Sequence, residues 1–298
     1  MPDYSALKER FGEQCRLGEP AASFTTYRAG GPAEALVKPA DAAELAWLAA
    51  WCRRGGVQLR VLGRGSNVLV SDRGLPGVTA LTERLSKIEL KGRTLEAQAG
   101  ALWDDAARLS AAAGLAGCEK TSGIPGSVGG AVRMNAGAFG QETFDHLVSI
   151  EALGPAGETV RLFKKDMKFG YRHVEGLDGL IVTAAAFELP PGDPAVLIQD
   201  RSCVLASRAA KQPLDLPSAG SVFKRPKGDY ASRLIDAAGL KGLKVGGAEV
   251  SSRHAGFIVN AGGATAADIY ALIGEVRARV KEKTGVELEL EQVLLGEF

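Results

Sequence analysis

The stretch of this chain best suited to chemistry is glycine-rich and almost uncharged. It reads SGIPGSVGGAVRMNAGAFG and runs from Ser122 to Gly140. Glycine buries no side chain and costs backbone entropy to order, so such a stretch is useful where backbone must approach another group closely. Gly126, Gly129 and Gly130 could direct successive N–H groups at one point, as in the nests that bind phosphate. The alternative is a tight loop between strands that binds nothing, and the glycines alone do not decide between the two.

A second candidate loop is GRGSN, from Gly63 to Asn67. It follows the alternating run VQLRVLG, which predicts a strand, and the end of a strand is a common place for a ligand. The loop is not a dinucleotide fingerprint, because GxGxxG is incomplete and no helix is predicted after it. No Walker loop occurs, since the sequence lacks its Gly-Lys-Ser/Thr. Taken alone, Ser66 and Asn67 are interpreted as turn residues.

Length and composition set the class of protein. The chain has 298 residues, of which 46% are hydrophobic and 24% charged, and its formal net charge is +1. This length predicts about two domains, with one or three possible, and this composition is typical of an ordinary globular protein. A charge near zero predicts neither nucleic acid nor an anionic membrane surface as a partner. Basic residues that matter must therefore act locally, in a site.

The cysteines and the N-terminus predict a protein of the cytoplasm. The four cysteines lie far apart, without the CxxC pairs of zinc sites or a disulfide framework. We expect free thiols in a reducing compartment and no bound metal. The N-terminal residues are charged and lack the apolar region of a signal peptide. No apolar run approaches the ~18 residues that a membrane span needs.

Five helices are predicted to frame these loops. Their sequences are DAAELAWLAAWCRRGG, Leu102–Ala113, AVLIQDRSCVLASRAAKQ, DYASRLIDAAG and ATAADIYALIGEVRARVKEKTG. Asp41 suits the start of the first helix as an N-cap, and Asp229 suits the start of the fourth. Thr265 and Asp268 form the spacing of a capping box before the last helix.

The remaining patterns predict strands and one linker. KIELKGRTLEAQAG and SIEALGPAGETVRLF are typical of hairpins, and GLIVTAAAFEL of a single strand. The tail VELELEQVLLG alternates, which predicts a strand with Glu287, Glu289 and Glu291 on one face. The run PPGDP, from Pro190 to Pro194, is the best candidate for a linker.

Six motifs, in a fixed order along the chain, resemble those of a known family. They are LGRGSNVL, SGIPGSVGGAVRMNAGAFG, FGYR, AGSVFK, AGLKG and LELE. In this order and spacing they resemble the UDP-N-acetylenolpyruvoylglucosamine reductase (MurB) family, and the similarity covers nearly the whole chain from about Thr25. The interval from Arg172 to Arg208 is too short for the tyrosine-bearing loop of longer members, so the chain resembles the shorter subtype.

The resemblance implies an α+β fold with three parts. Two α+β subdomains, residues 1–81 and 82–190, would form an FAD-binding fold of the vanillyl-alcohol-oxidase type. A third α+β domain, residues 191–298, would bind substrate, and its C-terminal strand would return a catalytic glutamate to the flavin. The two loops would hold the pyrophosphate of non-covalently bound FAD from two sides. The implied cofactor-binding residues are Gly63, Arg64, Gly65, Ser66, Asn67, Gly123, Ile124, Pro125, Gly126, Val128, Gly129, Gly130, Asn135, Ala136 and Gly137.

The implied reaction reduces the enolpyruvyl ether of a UDP-sugar, with NADPH as the hydride donor and FAD as the carrier. Arg172 would polarise the substrate carboxylate, Ser221 would donate a proton, and Glu291, protonated, would hydrogen-bond the developing enolate. Residue type alone favours plainer roles for them, namely a salt-bridge arginine, a turn serine and a solvated carboxylate. Only their place in the motif series favours catalysis.

Four further residues are implied at the substrate, and three positions depart from the family pattern. The four are Tyr171, Arg208, Lys211 and Lys224, although Arg208 and Lys211 would also suit a helix C-terminus for electrostatic reasons. The departures are Val174, Arg225 and Gln292, which put local substrate contacts and the role of Glu291 in question. Cys118 precedes the glycine-rich stretch, but we expect no covalent link to the flavin.

The leading prediction is therefore a cytoplasmic, monomeric, NADPH-dependent flavoenzyme of peptidoglycan precursor synthesis that binds neither membrane nor nucleic acid. Two alternatives remain at this point. One is another FAD-dependent oxidase or dehydrogenase of the same fold, which would be reoxidised rapidly by oxygen. The other is a non-catalytic nucleotide-binding protein, which would be redox-silent.

Overall fold

The computed structural model describes residues 2–298. The α-helices in this range are α1 (Ser5–Phe11), α2 (Ala42–Arg54), α3 (Trp103–Ala112), α4 (Val128–Met134), α5 (Pro194–Lys211), α6 (Ala231–Ala237) and α7 (Ala266–Thr284). The β-strands are β1 (Cys15–Pro20), β2 (Pro32–Val37), β3 (Leu59–Leu62), β4 (Val68–Val70), β5 (Leu75–Leu81), β6 (Ile88–Lys91), β7 (Thr94–Gln98), β8 (Gly137–Ala138), β9 (Gln141–Glu142), β10 (Leu147–Leu153), β11 (Thr159–Phe163), β12 (Phe169–Gly170), β13 (His173–Val174), β14 (Ile181–Glu188), β15 (Lys244–Val245), β16 (Ala248–Val250), β17 (Ile258–Asn260) and β18 (Val293–Leu295). No helix within residues 2–298 combines the length and the apolarity needed to cross a lipid bilayer.

The chain divides into two compact units, each made of separate stretches. The first unit takes residues up to Arg16, Ala35–Arg64 and Gly77–Ser207. The second takes Leu17–Glu34, Gly65–Pro76 and Arg208–Phe298. Strands β1, β2, β3 and β5 form a four-stranded sheet in the order β1-β2-β5-β3.

The first unit is built on a five-stranded antiparallel sheet in the order β11-β10-β14-β7-β6. Helices α3 and α4 cover this sheet and close a core around Trp103, Phe144 and Phe187. The Trp103 and Phe187 rings meet edge to face with their centroids 5.5 Å apart. This core supports the glycine-rich stretch, because α4 is part of that stretch and packs in the core.

The second unit packs α6 and α7 with the small sheet β15-β16-β17. The apolar stripe of α7 is buried, as its helical spacing predicts; its members are Ile269, Leu272, Ile273, Val276 and Val280. Strand β4 pairs in parallel with β18, from Val68 opposite Val293 to Val70 opposite Leu295. The chain directly before β4 and directly before β18 is therefore brought together.

Most predicted helices and hairpins are confirmed, with their caps. Asp41 accepts a hydrogen bond from the Glu44 N–H at 2.8 Å, and Thr265 and Asp268 complete the predicted capping box. The hairpins β6–β7 and β10–β11 occur where the turn residues predict them. These elements depend on neighbouring residues, which is why the sequence predicts them well.

Three local predictions are wrong. Asp229 does not cap α6, because its carboxylate bonds the Tyr230 N–H and Arg233 instead, and the helix begins at Ala231 without a side-chain cap. The glycine-rich stretch is not only loop, since seven of its residues form α4. The tail is a regular strand only over Val293–Leu295, although the exposed and buried side chains before it alternate as predicted.

Candidate functional site

The loop Gly63–Asn67 is held so that its backbone reaches a partner closely. Gly65 has φ +59°, and a Cβ on it would lie 2.4 Å from the Phe24 carbonyl oxygen. The Gly65 carbonyl in turn accepts a hydrogen bond from the Thr26 N–H at 3.2 Å. Only glycine fits this position without strain, because both the conformation and the space exclude a side chain.

The same loop keeps backbone donors unused. Within residues 2–298, the N–H groups of Gly65, Ser66 and Asn67 donate to no acceptor of the chain. Successive backbone N–H groups in a loop with a left-handed residue are suited to an anion such as a phosphate. The feature that the sequence alone assigned to a plain turn therefore has the chemistry of an anion-binding loop.

The glycine-rich stretch uses its donors differently. The Gly129 N–H donates to the Ala99 carbonyl at 2.8 Å, the Gly126 N–H to the Ile124 carbonyl at 2.9 Å, and the Gly130 N–H to the Ser127 hydroxyl at 3.3 Å. The prediction that these three N–H groups converge on an anion is wrong, because each already has a partner within the chain.

Close packing explains the glycines in this stretch better. A Cβ on Gly129 would lie 2.8 Å from the Ala99 Cβ, and one on Gly63 would lie 2.0 Å from the Ser127 Oγ. The start of the stretch is held by Asp104, whose carboxylate accepts from the Gly123 N–H at 2.7 Å and from Arg201 at 2.5 Å. The stretch is therefore a packed support. Its inner N–H groups are already used within the chain, and only its surface is available to a ligand.

One polar atom in this stretch has no partner. Ser122 is fully buried, and within residues 2–298 its hydroxyl makes no hydrogen bond. A buried hydroxyl left in this state costs about 1–3 kcal/mol, so proteins rarely keep one without use.

Arg172 occupies a strained turn in the first unit. It lies with Tyr171 between β12 and β13, where Gly170 pairs with His173, and its φ is +54°. A non-glycine residue in this left-handed region costs about 1–3 kcal/mol, and such outliers concentrate at functional sites. Its guanidinium donates to the Gly137 carbonyl at 2.8 Å and lies 5.0 Å from the centre of the Tyr171 ring.

Asn135 joins this turn to the end of α4. It is buried and left-handed, with φ +39°, and its side-chain amide donates to the Gly170 carbonyl at 3.0 Å and to Glu142 at 2.7 Å. Its amide oxygen accepts from the Phe144 N–H at 3.1 Å. The predicted cofactor residue Asn135 and the predicted catalytic residue Arg172 therefore belong to one hydrogen-bonded assembly.

Ser221 and Glu291 lie on two segments that pair in the second unit. Phe223 and Leu290 form an antiparallel bridge, and the Glu291 N–H donates to the Val222 carbonyl at 2.8 Å. Asn67 binds the other side of this segment, because its amide donates to the Glu291 carbonyl at 3.3 Å. The structure therefore brings together three motifs that are far apart in sequence, namely GRGSN, AGSVFK and LELE.

The two glutamates of the last motif are not equivalent. The Glu289 carboxylate pairs with the Lys224 ammonium, and the Lys224 N–H also donates to the Glu289 carbonyl at 2.8 Å. Glu291 is half-buried, whereas Glu289 is exposed. Because it is the more buried of the two, Glu291 is the better candidate for chemistry. The ion pair of Glu289 engages Lys224, a predicted substrate residue.

Arg208 and Lys211 lie in the last turn of α5, as predicted. Arg208 is 7% exposed and Lys211 is exposed. Burial of a guanidinium is costly in the absence of compensating interactions, which makes Arg208 more than a surface charge.

The sequence missed two polar residues in the second unit. Tyr27 and Gln292 are buried, and the Tyr27 hydroxyl donates to the Gln292 amide oxygen at 3.0 Å. They are 265 positions apart, so no local pattern could pair them. The only sequence signal was the departure of Gln292 from the expected motif.

Comparison with known proteins decides the family. A family profile described as the UDP-N-acetylenolpyruvoylglucosamine reductase C-terminal domain matches residues 212–295, and one described as an FAD binding domain matches residues 33–162. The UDP-N-acetylenolpyruvoylglucosamine reductase of Lactococcus lactis subsp. cremoris is 44% identical over 283 residues, which are 95% of each chain. That of Alkalilimnicola ehrlichii is 45% identical over 287 residues, again 95% of each chain. The chain belongs to the UDP-N-acetylenolpyruvoylglucosamine reductase family.

A solved structure of this reductase family agrees with the fold. The crystal structure of the enzyme from Thermus caldophilus matches with a TM-score of 0.81 at 36% identity, over 95% of this chain and 98% of that one. The predicted α+β class with an FAD-binding fold is thereby confirmed. The short loop fits FAD on its own chemistry as well, since the open backbone N–H groups of Gly65, Ser66 and Asn67 suit a diphosphate.

Proposed function

We propose that this chain is an NADPH-dependent flavoenzyme that reduces UDP-N-acetylglucosamine enolpyruvate to UDP-N-acetylmuramate in peptidoglycan precursor synthesis. The observation that supports this most strongly is similarity to named reductases at 44–45% identity along 95% of the chain. The chemistry that FAD supplies when bound is hydride transfer, from NADPH to the vinyl carbon of the enolpyruvyl ether. The work of the protein is then to bind, orient and protonate.

We propose that the cofactor is held by backbone more than by side chains. The N–H groups of Gly65, Ser66 and Asn67 would bind its diphosphate. Gly123, Ile124, Pro125, Gly126, Val128, Gly129 and Gly130 give it a surface without bulky side chains, and Gly63, Arg64, Asn135, Ala136 and Gly137 complete the set.

Catalysis in this proposal needs charge stabilisation at the substrate carboxylate. Reduction of the vinyl group builds negative charge there, and a planar guanidinium matches a carboxylate with two parallel hydrogen bonds. Arg172 has the fixed position that this role needs, because its strained turn and the Gly137 carbonyl both constrain it. Glu291 would hydrogen-bond the same developing charge.

Proton delivery falls to Ser221. Its hydroxyl is exposed at the end of the segment that pairs with Glu291, and the carbon that it protonates is far more basic than a serine alkoxide. We propose that Tyr171, Arg208, Lys211 and Lys224 bind the substrate, with Arg208 and Lys211 on its diphosphate or carboxylate. Lys224 would exchange its Glu289 partner for the substrate.

The division into residues 1–81, 82–190 and 191–298 stays a proposal, as do a monomeric state, a cytoplasmic location and the absence of nucleic-acid and membrane partners. The gap between the two family matches, from 162 to 212, contains the proposed boundary at Pro190. The formal net charge of +1 supports this absence, because the chain has no excess of positive charge to attract a nucleic acid or an anionic membrane.

Anaerobic flavin spectroscopy tests the function. The purified protein is loaded with FAD, and NADPH is added to bleach the flavin absorbance. Addition of UDP-N-acetylglucosamine enolpyruvate should restore the oxidised spectrum in a single turnover. Reoxidation by oxygen but not by this substrate would favour an oxidase of the same fold, and an unbleached flavin would favour a non-catalytic nucleotide-binding protein.

The variant Ser221→Ala separates proton donation from hydride transfer. NADPH should bleach its flavin at about the wild-type rate, whereas reoxidation by the substrate should slow by about 10²–10⁴-fold, the range for loss of a general acid. Loss of both half-reactions would show that Ser221 supports the site as a whole rather than donating a proton.

A further inference from the structure

A buried hydrogen-bond cluster lies behind Ser221 and Glu291 and has no part in the mechanism above. We call it the Gln292 cluster; it consists of Tyr27, Asn260 and Gln292. Gln292 is 3% exposed and Tyr27 is fully buried. The Gln292 amide nitrogen donates to the Ala219 carbonyl at 3.0 Å and to the Gly220 carbonyl at 3.3 Å, while its oxygen accepts from the Tyr27 hydroxyl.

Asn260 extends the cluster to the same segment. Its side-chain amide donates to the Tyr27 carbonyl at 3.1 Å, and its backbone N–H donates to the Pro217 carbonyl at 2.9 Å. Three carbonyls of the chain just before Ser221 are therefore held, those of Ala219 and Gly220 by the Gln292 side chain and that of Pro217 by the Asn260 backbone N–H. A fully satisfied buried network of this kind fixes geometry, because each member would pay a desolvation cost in any other arrangement.

The Gln292 cluster bonds the backbone next to a glycine. Gly220 directly precedes Ser221 and has φ +74°, with open space at the place of a side chain. A glycine there allows the segment to rotate, and nothing packs against its missing side chain to prevent this. Gln292 bonds the Gly220 carbonyl and directly follows Glu291, so one side chain couples the backbones of two proposed catalytic residues.

We propose that Gln292, held by Tyr27, is a positioning residue that fixes Ser221 relative to Glu291 for proton delivery to the substrate. This inference rests on the function proposed above. A misplacement of about 1 Å at a reacting group costs on the order of 10²-fold in rate, which sets the scale of its effect.

Separate measurement of the two half-reactions tests the proposal. Gln292→Val removes the donors to Ala219 and Gly220, and Tyr27→Phe removes only the group that orients the amide. In stopped-flow experiments, flavin reduction by NADPH should stay within about twofold of wild type. Reoxidation by the enolpyruvyl substrate should slow by about ten- to a hundredfold in Gln292→Val and by less in Tyr27→Phe.

A stability control is needed because both variants disturb a core. Val280→Ala removes buried apolar volume from α7 in the same unit without touching the Gln292 cluster. It should lower the melting temperature to a similar extent and leave both half-reactions unchanged. If Val280→Ala slows reoxidation as much as Gln292→Val does, the cluster is an ordinary part of the core and the proposal is overturned.

Gln292→Glu gives a signature that a purely structural role would not produce. A protonated carboxyl can still donate to one of the two carbonyls and accept from Tyr27, whereas the ionised form would face carbonyl oxygens without a donor. Burial raises the pKa of the Tyr27 phenol, so this partner stays protonated across the range tested. The reoxidation rate of Gln292→Glu should therefore recover towards wild type as the pH falls from 9 to 5, relative to the wild-type profile.

The outcomes separate this inference from the proposed function. If the wild-type flavin is not reoxidised by the substrate, the function itself is wrong. If wild type is reoxidised and the Gln292 variants keep its rate at every pH, the function stands and the positioning role is rejected.

Discussion

The loop Gly63–Asn67 and the stretch Ser122–Gly140 are both proposed to bind one cofactor, but their backbones serve different purposes. The short loop leaves the N–H groups of Gly65, Ser66 and Asn67 without acceptors in residues 2–298. The long stretch directs its glycine N–H groups to its own chain. Glycine therefore has two uses here, exposing donors to a ligand in one region and allowing close packing in the other.

This difference reverses the order of importance that glycine content alone predicts for the two regions. The long stretch carries more glycine and is the stronger motif, yet its glycines mainly allow α4 to approach Ala99. The short loop resembles an ordinary turn, yet it has the open donors. Glycine content thus indicates close approach, but it does not tell whether the approaching group is a ligand or another part of the chain.

The largest effect on FAD affinity is expected from a substitution that displaces the loop Gly63–Asn67. Gly65→Ala places a Cβ 2.4 Å from the Phe24 carbonyl oxygen at φ +59°, so the loop must move and its N–H groups lose alignment. We expect the dissociation constant for FAD to rise by about tenfold to a hundredfold, which corresponds to ~1.4–2.8 kcal/mol. Quenching of flavin fluorescence on titration with the apoprotein measures this change.

Gly92→Ala is the matched control for Gly65→Ala. Gly92 has φ +62° in the β6–β7 hairpin, with no atom within 4 Å of the place of a Cβ. It carries the same backbone strain without the steric conflict, so FAD affinity should not change. Equal losses in the two variants would mean that general strain, rather than the donors of the loop, explains the result.

The next effect tests the long stretch as a packed support. Gly129→Ala brings a Cβ to 2.8 Å from the Ala99 Cβ, and such overpacking costs about 1–3 kcal/mol. Gly130→Ala, one residue along the same helix, meets only the Ser127 Oγ at 3.5 Å and should stabilise the apoprotein by about 0.5–1 kcal/mol through helix propensity. Thermal unfolding of the two apoproteins should therefore shift in opposite directions; a shift in the same direction would contradict the packing role of Gly129.

How far the sequence predicts this protein depends on the range of each interaction. Asp41, Thr265 and Asp268 act within one helical turn, so their caps are evident from spacing alone. The same spacing rule predicts wrongly that Asp229 caps α6, because Arg233 lies one turn away and binds its carboxylate. Local patterns are reliable only while no neighbour offers a better partner.

Long-range partners account for what the sequence did not predict. The acceptor of the Gly129 N–H is Ala99, on another element, and the contact of Tyr27 with Gln292 spans most of the chain. Family resemblance named Arg172, Ser221 and Glu291 but gave no reason for their geometry. That reason lies in residues such as Asn67 and Asn135, whose amides hold the backbone of their neighbours.

A smaller effect sharpens the comparison at Ser122. Removal of its unpartnered hydroxyl in Ser122→Ala should stabilise the apoprotein by about 1 kcal/mol, because a buried unsatisfied group is lost. Because this hydroxyl has no surface that a ligand could reach, FAD affinity should not change. Calorimetric unfolding with and without FAD measures both quantities.

Ser110→Ala is the matched control for Ser122→Ala. Ser110 is also buried, but its hydroxyl donates to the Ala107 carbonyl at 3.1 Å. Its removal should leave FAD affinity unchanged and should not stabilise the apoprotein. Equal stability of Ser122→Ala and wild type would show that the missing hydrogen bond carries no cost.

The smallest effect concerns Cys118, which lies four residues before the long stretch. Burial raises the pKa of its thiol to about 12, with a further rise from the charge of Glu119, so the thiolate fraction at pH 8.5 is on the order of a thousandth or less. Cys203 is the exposed cysteine among the four free ones. A thiol reagent should therefore label Cys203 in the native protein and reach Cys118 only after unfolding. For the same reason Cys118 is a poor nucleophile towards a flavin. Acid precipitation should therefore release all FAD into the supernatant. Flavin that stays with the precipitated chain would show a covalent link that this environment disfavours.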